Sequence, residues 1–274
     1  MFSKLLCSLV LFPCFSSFSQ TVRHPVSSPY TSFGTYSISQ SDVFSFSGNP
    51  ASLAQLKNSS AGIHSERRFL LSELNNYTAV AGLQMKTGSF GVRVAYSGFT
   101  EYNETQAGIT YARKLSGNLD VGVQFNYYSI KIAGYGNSST LNFAIGYLLH
   151  ITDKIHFGMQ AYNPFGGKFG NNDQEKLASN YSLGFGFESS SKFLVSAEIE
   201  KEEDLPLNVK VGFQYKFLPQ MMVRAGIVSE TSNAYLGIGF IIKSLRIDII
   251  ASYHPLLGIT PAMLLLFNFK SSEP

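Results

Sequence analysis

Tryptophan is absent, cysteine occurs only twice, and Asp, Glu, Lys and Arg together make up 14% of the 274 residues. Each scarcity excludes something. Cys7 and Cys14 both fall in the first 20 residues, so the rest of the chain holds no disulfide framework and no thiol chemistry. The formal net charge is +3 and no basic cluster follows the chain, which argues against nucleic acid as a partner. A water-facing surface ordinarily carries about 25–35% charged residues, so something other than water faces much of this protein. Beyond residue 20, no run of 18 uncharged apolar residues occurs, which excludes a membrane-spanning helix.

What is present is aromatic and glycine-rich: 23 Phe, 15 Tyr and 24 Gly. Low charge, many aromatics and no spanning helix fit a transmembrane β-barrel, whose apolar positions are hidden by alternation. The opening MFSKLLCSLVLFPCFSSFSQ has Lys4, an apolar run from Leu5 to Phe15 interrupted at Ser8, and a Ser-rich end. That is the layout of a secretory signal peptide, and Ser17 and Ser19 place its cleavage before Gln20. Residues 1–19 are therefore expected to be removed; a lipid-modified Cys14 is the alternative, with Phe12 and Pro13 as poor neighbours. Residues 20–59 lack sustained periodicity and are read as a lumen plug or periplasmic segment, because Phe33, Phe44 and Phe46 gain by leaving water.

From residue 60 the apolar period becomes two. Strands are predicted at 60–70, 77–87, 89–99, 103–114, 118–132, 139–151, 153–163, 179–190, 192–201, 206–217, 219–229, 233–242, 244–254 and 260–270. Fourteen is the even count that a closed antiparallel barrel needs when both its ends lie on the periplasmic side, so 60–270 is read as an all-β transmembrane barrel in a bacterial outer membrane, with 271–274 as a short polar tail. Leu119, Val121, Val123, Phe125 and Tyr127 are expected to face lipid, and Asp120, Gly122, Gln124 and Asn126 the lumen. Leu141 to Leu149 and Leu245 to Tyr253 repeat the pattern. Of a row of glycines from Gly108 to Gly239, those in the clearest strands fall on the inner face, which implies a narrow lumen, tight curvature or contact with 21–59, or simply relief of crowding inside a small barrel. Tyr96, Tyr102, Tyr111, Tyr127, Tyr147, Tyr162, Tyr181, Tyr215, Tyr235 and Tyr253 are read as membrane-interface belts.

No motif carries catalysis. Gly166 to Gly170 do not match a nucleotide loop, Asp173 and Glu175 do not define a cation site, and His24, His64, His150, His156 and His254 are read as separate structural histidines without a zinc pattern. No catalytic residue, cofactor or metal is assigned. The inner charges are more informative. Arg93, Lys210, Lys216, Arg224 and Arg246, with Asp120, Glu188, Glu198, Glu200 and Asp248, are expected either to form a hydrated network that closes the lumen or to line a pore. The connections at 133–138 and 164–178 are read as extracellular loops, and the turns 116–118, 151–153 and 218–220 as periplasmic.

Asn49-Pro50-Ala51, followed by about fourteen strands and an aromatic close at Phe267 and Phe269, resembles the FadL superfamily, most closely its compact PorV/PorQ-like branch of Bacteroidota. In FadL-like transporters the N-terminal region forms a hatch to which this motif contributes, so the resemblance implies that Asn49, Pro50 and Ala51 order a plug. Such transporters carry hydrophobic compounds by a lateral route, whereas PorV-like relatives are barrel partners in protein export. The external loops here are short. The function expected is therefore a non-enzymatic accessory or structural subunit of an outer-membrane protein complex, linked to export or assembly, with a FadL-like transporter of small hydrophobic molecules as the alternative. The partners expected are outer-membrane lipids, other outer-membrane or periplasmic proteins, and a hydrophobic ligand.

Overall fold

The computed structural model describes residues 20–22, 28–169 and 175–269. The expected signal peptide and polar tail, with His24 and Asp173, lie outside the described residues. Fourteen long strands follow the fourteen predicted: β1 (Ser60–Arg67), β2 (Asn75–Met85), β3 (Gly88–Gly98), β4 (Tyr102–Lys114), β5 (Leu119–Ile132), β6 (Gly136–His150) and β7 (Ile155–Tyr162) form the first half. The second half is β8 (Asn180–Ser190), β9 (Phe193–Glu202), β10 (Asn208–Leu218), β11 (Met221–Val228), β12 (Asn233–Ile242), β13 (Leu245–His254) and β14 (Gly258–Asn268). Each pairs antiparallel with its sequence neighbour, and β14 pairs with β1 to close the barrel. Bulges interrupt the ladder at Glu188/Ser190 and at Lys216/Leu218.

The two-residue period explains the wall. Along β6, Leu141 is 75% exposed while its neighbour Asn142 is 7% exposed, and β5 and β13 alternate in the same sense. Apolar side chains such as Phe125, Ile109 and Ile249 cover the outside. A closed barrel leaves no unpaired edge, and an apolar band around its outside is stable only in hydrocarbon. The protein is a multi-pass outer-membrane β-barrel. Among the described residues no helix is long and apolar enough to cross a membrane, so the strands make the crossing.

Residues 28–59 lie inside this wall. They form three short 3-10 turns, Phe33–Tyr36, Ser45–Ser47 and Pro50–Gln55. Proline pre-sets the backbone for the first residue of the last turn, and the Asn49 side chain caps it by accepting a hydrogen bond from the Ala51 N–H at 2.9 Å. Tyr30, Phe33, Val43, Phe44, Phe46, Leu53 and Leu56 pack against Val80, Leu194, Ile250, Leu264 and Leu266 of the wall. The hydrophobic core thus sits within the lumen, between the inner segment and the barrel.

Three expectations need correction. Tyr162 and Tyr235 do not join an interface belt: they are 2% and 8% exposed and point inward, because each shares strand parity with inner glycines, Gly158 and Gly237. The connection expected at 133–138 shrinks to 133–135, since β6 begins at Gly136. The 164–178 loop is not simply external. Lys168–Phe169 pairs with Glu175–Leu177, which also takes Gln20–Val22 as a parallel neighbour, and Phe169 and Leu177 are buried against Tyr128, Ile130 and Tyr162.

Candidate functional site

The lumen is shaped by close contact between the inner segment and glycines of the wall. A Cβ placed on Gly186 would lie 1.8 Å from the Tyr36 carbonyl oxygen, and one on Gly122 would lie 2.4 Å from the Pro50 carbonyl carbon. Gly184 meets the Tyr36 ring, Gly237 the Tyr30 ring, and Gly146 the Asn49 side chain. Any larger residue would displace the inner segment, which is the close-approach use of a strand glycine. Other members of the row serve the wall itself: Gly108 faces Asn126, and Gly226 faces Tyr235.

Asn49, Pro50 and Ala51 lie together against β5 to β7. Asn49 Nδ2 donates to the carbonyls of Tyr147 (3.3 Å) and Met159 (3.1 Å), while its Oδ1 caps the following turn. One side chain therefore ties the inner segment to two adjacent strands.

The ten charged residues expected in the lumen all point inward but separate into clusters. On β9 and β10, Lys210 Nζ lies 2.8 Å from Glu198 and 2.6 Å from Glu200, and Glu198 accepts a 2.6 Å hydrogen bond from the Tyr36 hydroxyl. Arg224 of β11 and Arg246 of β13 converge on Asp42 of the inner segment at 3.3 and 2.8 Å, and Arg246 also lies 3.1 Å from Asp248. Arg224 is 1% exposed and further donates to Gln214 and to the Tyr30 carbonyl. Burial alone would raise the Asp42 carboxyl, but Arg246 and then Arg224 outweigh it and hold its pKa below the ordinary value. Arg93 of β3 and Lys216 of β10 stand apart from these pairs.

Asp120 and Glu188 belong to a third cluster, centred on two histidines the sequence reading treated as separate. His150 and His156 stand opposite each other across β6 and β7, with ring nitrogens 3.0 Å apart. His150 reaches Asp120 at 2.9 Å and His156 reaches Glu188 at 3.3 Å. Two facing Nδ1 atoms at that distance must share a proton, so one donates and the other accepts. Both ends hold the inner segment: Gln55 donates to Asp120 at 2.5 Å, and Glu188 accepts from the Ile38 N–H at 2.5 Å and from Ser39. Among the described residues no group of three or more His, Cys, Asp or Glu is arranged to hold a metal ion.

A cavity lies at each end of the lumen. The outer one, about 250 Å³, is lined by Pro29, Phe69, Val228 and Leu257 together with Glu66, Arg68, Glu200, Lys210 and His254. The other, about 190 Å³, opens at the end where β1 begins and β14 finishes, and includes Asp42, Lys57, Lys216, Arg224 and Arg246. The aromatic cluster of residues 28–59 lies between them. With both barrel ends on the periplasmic side, the second cavity is the periplasmic mouth.

No protein-family model matches the chain, and no curated protein sequence matches it. Solved structures do. A monoaromatic hydrocarbon channel, CymD, superposes with a TM-score of 0.66 over 85% of this chain and 94% of its own, at 11% identity. The Pseudomonas putida toluene transporter TodX gives 0.60 over 81% and 91%, at 10% identity. A Pseudomonas aeruginosa FadL homologue gives 0.56 over 83% and 93%, at 13% identity. The fold is that of these three outer-membrane proteins. At these identities the likeness speaks for architecture, and the residues inside the lumen have to speak for function.

Proposed function

We propose that this protein is an outer-membrane channel for small apolar molecules, with residues 28–59 as its plug and Asn49, Pro50 and Ala51 as the motif that orders it. The observation that carries this reading is the apolar cluster in mid-lumen, Tyr30, Phe33, Phe44, Phe46, Leu53 and Leu56, set between two cavities. An aqueous porin keeps a polar, hydrated interior; here an apolar barrier would hinder ions and sugars while offering an apolar solute a favourable surface. The outer cavity is just under the size of ordinary small-molecule sites, roughly 300–1,000 Å³, and so suits a compound of about one ring.

The likeness in fold to hydrocarbon channels supports transport over the accessory-subunit reading first expected from the sequence, and neither the PorV/PorQ-like branch nor a link to protein export has comparable support. The charged lumen residues that touch residues 28–59, Arg224, Arg246, Glu188, Glu198 and Asp120, would act as clamps on the plug rather than as walls of an open pore. Uptake of radiolabelled toluene by intact cells making the protein, against cells making an unrelated barrel, tests the reading. Severalfold faster toluene entry with unchanged entry of a small sugar is the expected result. Equal toluene entry in both strains, together with stoichiometric co-purification of another membrane protein, would return the assignment to an accessory subunit.

A further inference from the structure

The periplasmic cavity has a charge balance that passage of an apolar molecule does not require. Four cationic side chains, Lys57, Lys216, Arg224 and Arg246, line it against the single carboxylate of Asp42. Asp42 is shared by the two arginines, and Arg246 has Asp248 as a second counterion. The two lysines are left over. Among the described residues the half-buried Lys216 side chain makes no hydrogen bond or ion pair, and Lys57, exposed at the rim, reaches only the Ser39 carbonyl, at 3.4 Å. Two further donors in residues lining the cavity, Arg246 Nε and the Ser60 hydroxyl, are buried without a hydrogen-bond partner among the described residues. Unmatched donors and an excess of positive charge, gathered around about 190 Å³, favour an anion over a cation or a neutral solute.

We propose that the periplasmic mouth binds a phosphoryl group, with Lys216 and Lys57 as the residues that recognise it and Arg246 and Ser60 as further donors. Two uncompensated positive charges match the charge of about −1.5 to −2 that a phosphate monoester carries near neutral pH. The site lies at one end of the proposed apolar route but rests on different residues from the apolar cluster, so either assignment stands if the other fails. The Lys216 side chain has no partner to lose among the described residues, and its replacement leaves the clamp on Asp42 intact.

The test is isothermal titration of the full-length protein, folded in a non-ionic detergent, with inorganic phosphate at constant ionic strength, and in parallel with a short-chain phosphatidic acid. One saturable phosphate site is expected, weakened at least tenfold in the doubly substituted Lys57→Met, Lys216→Met variant and unchanged in Lys243→Met, whose lysine lies in a turn outside the cavity. Heat-modifiable migration on gels verifies that each variant is folded. Tighter binding of the phosphatidic acid, competed by phosphate, would assign the group to a lipid; equal binding would assign it to a free phosphate. Absence of saturable phosphate heat beyond that of sodium chloride, or unchanged affinity in the folded double variant, would overturn the proposal.

Discussion

The inner segment is held differently by the two sides of the barrel. Toward β5 to β8 it is seated by shape and hydrogen bonds: glycines give it room, Asn49 reaches two strand carbonyls, and Gln55 and Ser39 meet the ends of the histidine cluster. Toward β11 to β13 Gly237 also gives room, to the Tyr30 ring, but the distinguishing feature is one carboxylate, Asp42, gripped by two arginines, beside aromatic packing of Tyr30 and Phe33 on the Arg224 guanidinium. The first arrangement relies on many short-range contacts and the second on a concentrated charge. A concentrated charge is easier to switch off, so the two sides should fail under different insults.

The largest effect is expected from Asp42→Asn. Removing one partner of a buried ion pair costs about 3–5 kcal/mol, and the low end applies because Arg246 keeps Asp248 and Arg224 keeps Gln214. Hydrogen exchange should show faster opening of residues 30–46, with 49–55 close to wild type. Acid should do the same without a mutation. Because its pKa is depressed in the fold, the Asp42 clamp is at full strength above the ordinary aspartate value of about 3.9 and weakens as pH falls through the lower value in the folded protein. Asp42→Asn should remove this acid response from residues 30–46; if it persists there, another group governs that side.

Gly186→Ala and Gly122→Ala attack the opposite side. In both, the new methyl group meets backbone rather than a movable side chain, and overpacking of this kind costs about 1–3 kcal/mol. Exchange should rise about 10- to 100-fold around Tyr36 and Pro50 respectively, while Gly117→Ala, at a turn with open space around it, should change nothing. Uniform loosening of 28–59 by either glycine variant would show that the segment is one cooperative unit and abolish the distinction between the two sides.

The wall was legible in the sequence because a pleated strand writes its two faces at alternate positions, and all fourteen strands carry enough of that signal to be found. Tyr162 and Tyr235 were misplaced by attending to residue type: parity with Gly158 and Gly237 already put them inside. His150 and His156 illustrate a subtler loss. They flank the predicted 151–153 turn, but their contact follows from the β6–β7 register, which the turn fixes only once its length is known. The inner segment was least legible. Its 3-10 turns are too short to show an amphipathic period, and Asp42 has no sequence neighbour of opposite charge, since its partners lie about 180 and 200 residues away. Asn49-Pro50-Ala51 was visible because capping and proline chemistry are local.

The smallest expected effect separates the two tasks of Asn49. Its Oδ1 caps the turn, while its Nδ2 donates to the carbonyls of Tyr147 and Met159. Loss of a cap or of a modest hydrogen bond costs about 0.5–2 kcal/mol, so Asn49→Ala should raise exchange across 49–55 by roughly tenfold and leave residues 30–46 alone. Asn49→Asp is the more informative substitution. Aspartate caps a helix start as well as asparagine does, but it has no donor and brings a negative charge to two carbonyl oxygens. If attachment to β6 and β7 is what matters on this side of the barrel, the aspartate variant should exchange faster than the alanine one. If it behaves as wild type, capping alone is sufficient, and the hold of this side of the wall on the inner segment reduces to the fit against its glycines and the contacts at the two ends of the histidine cluster.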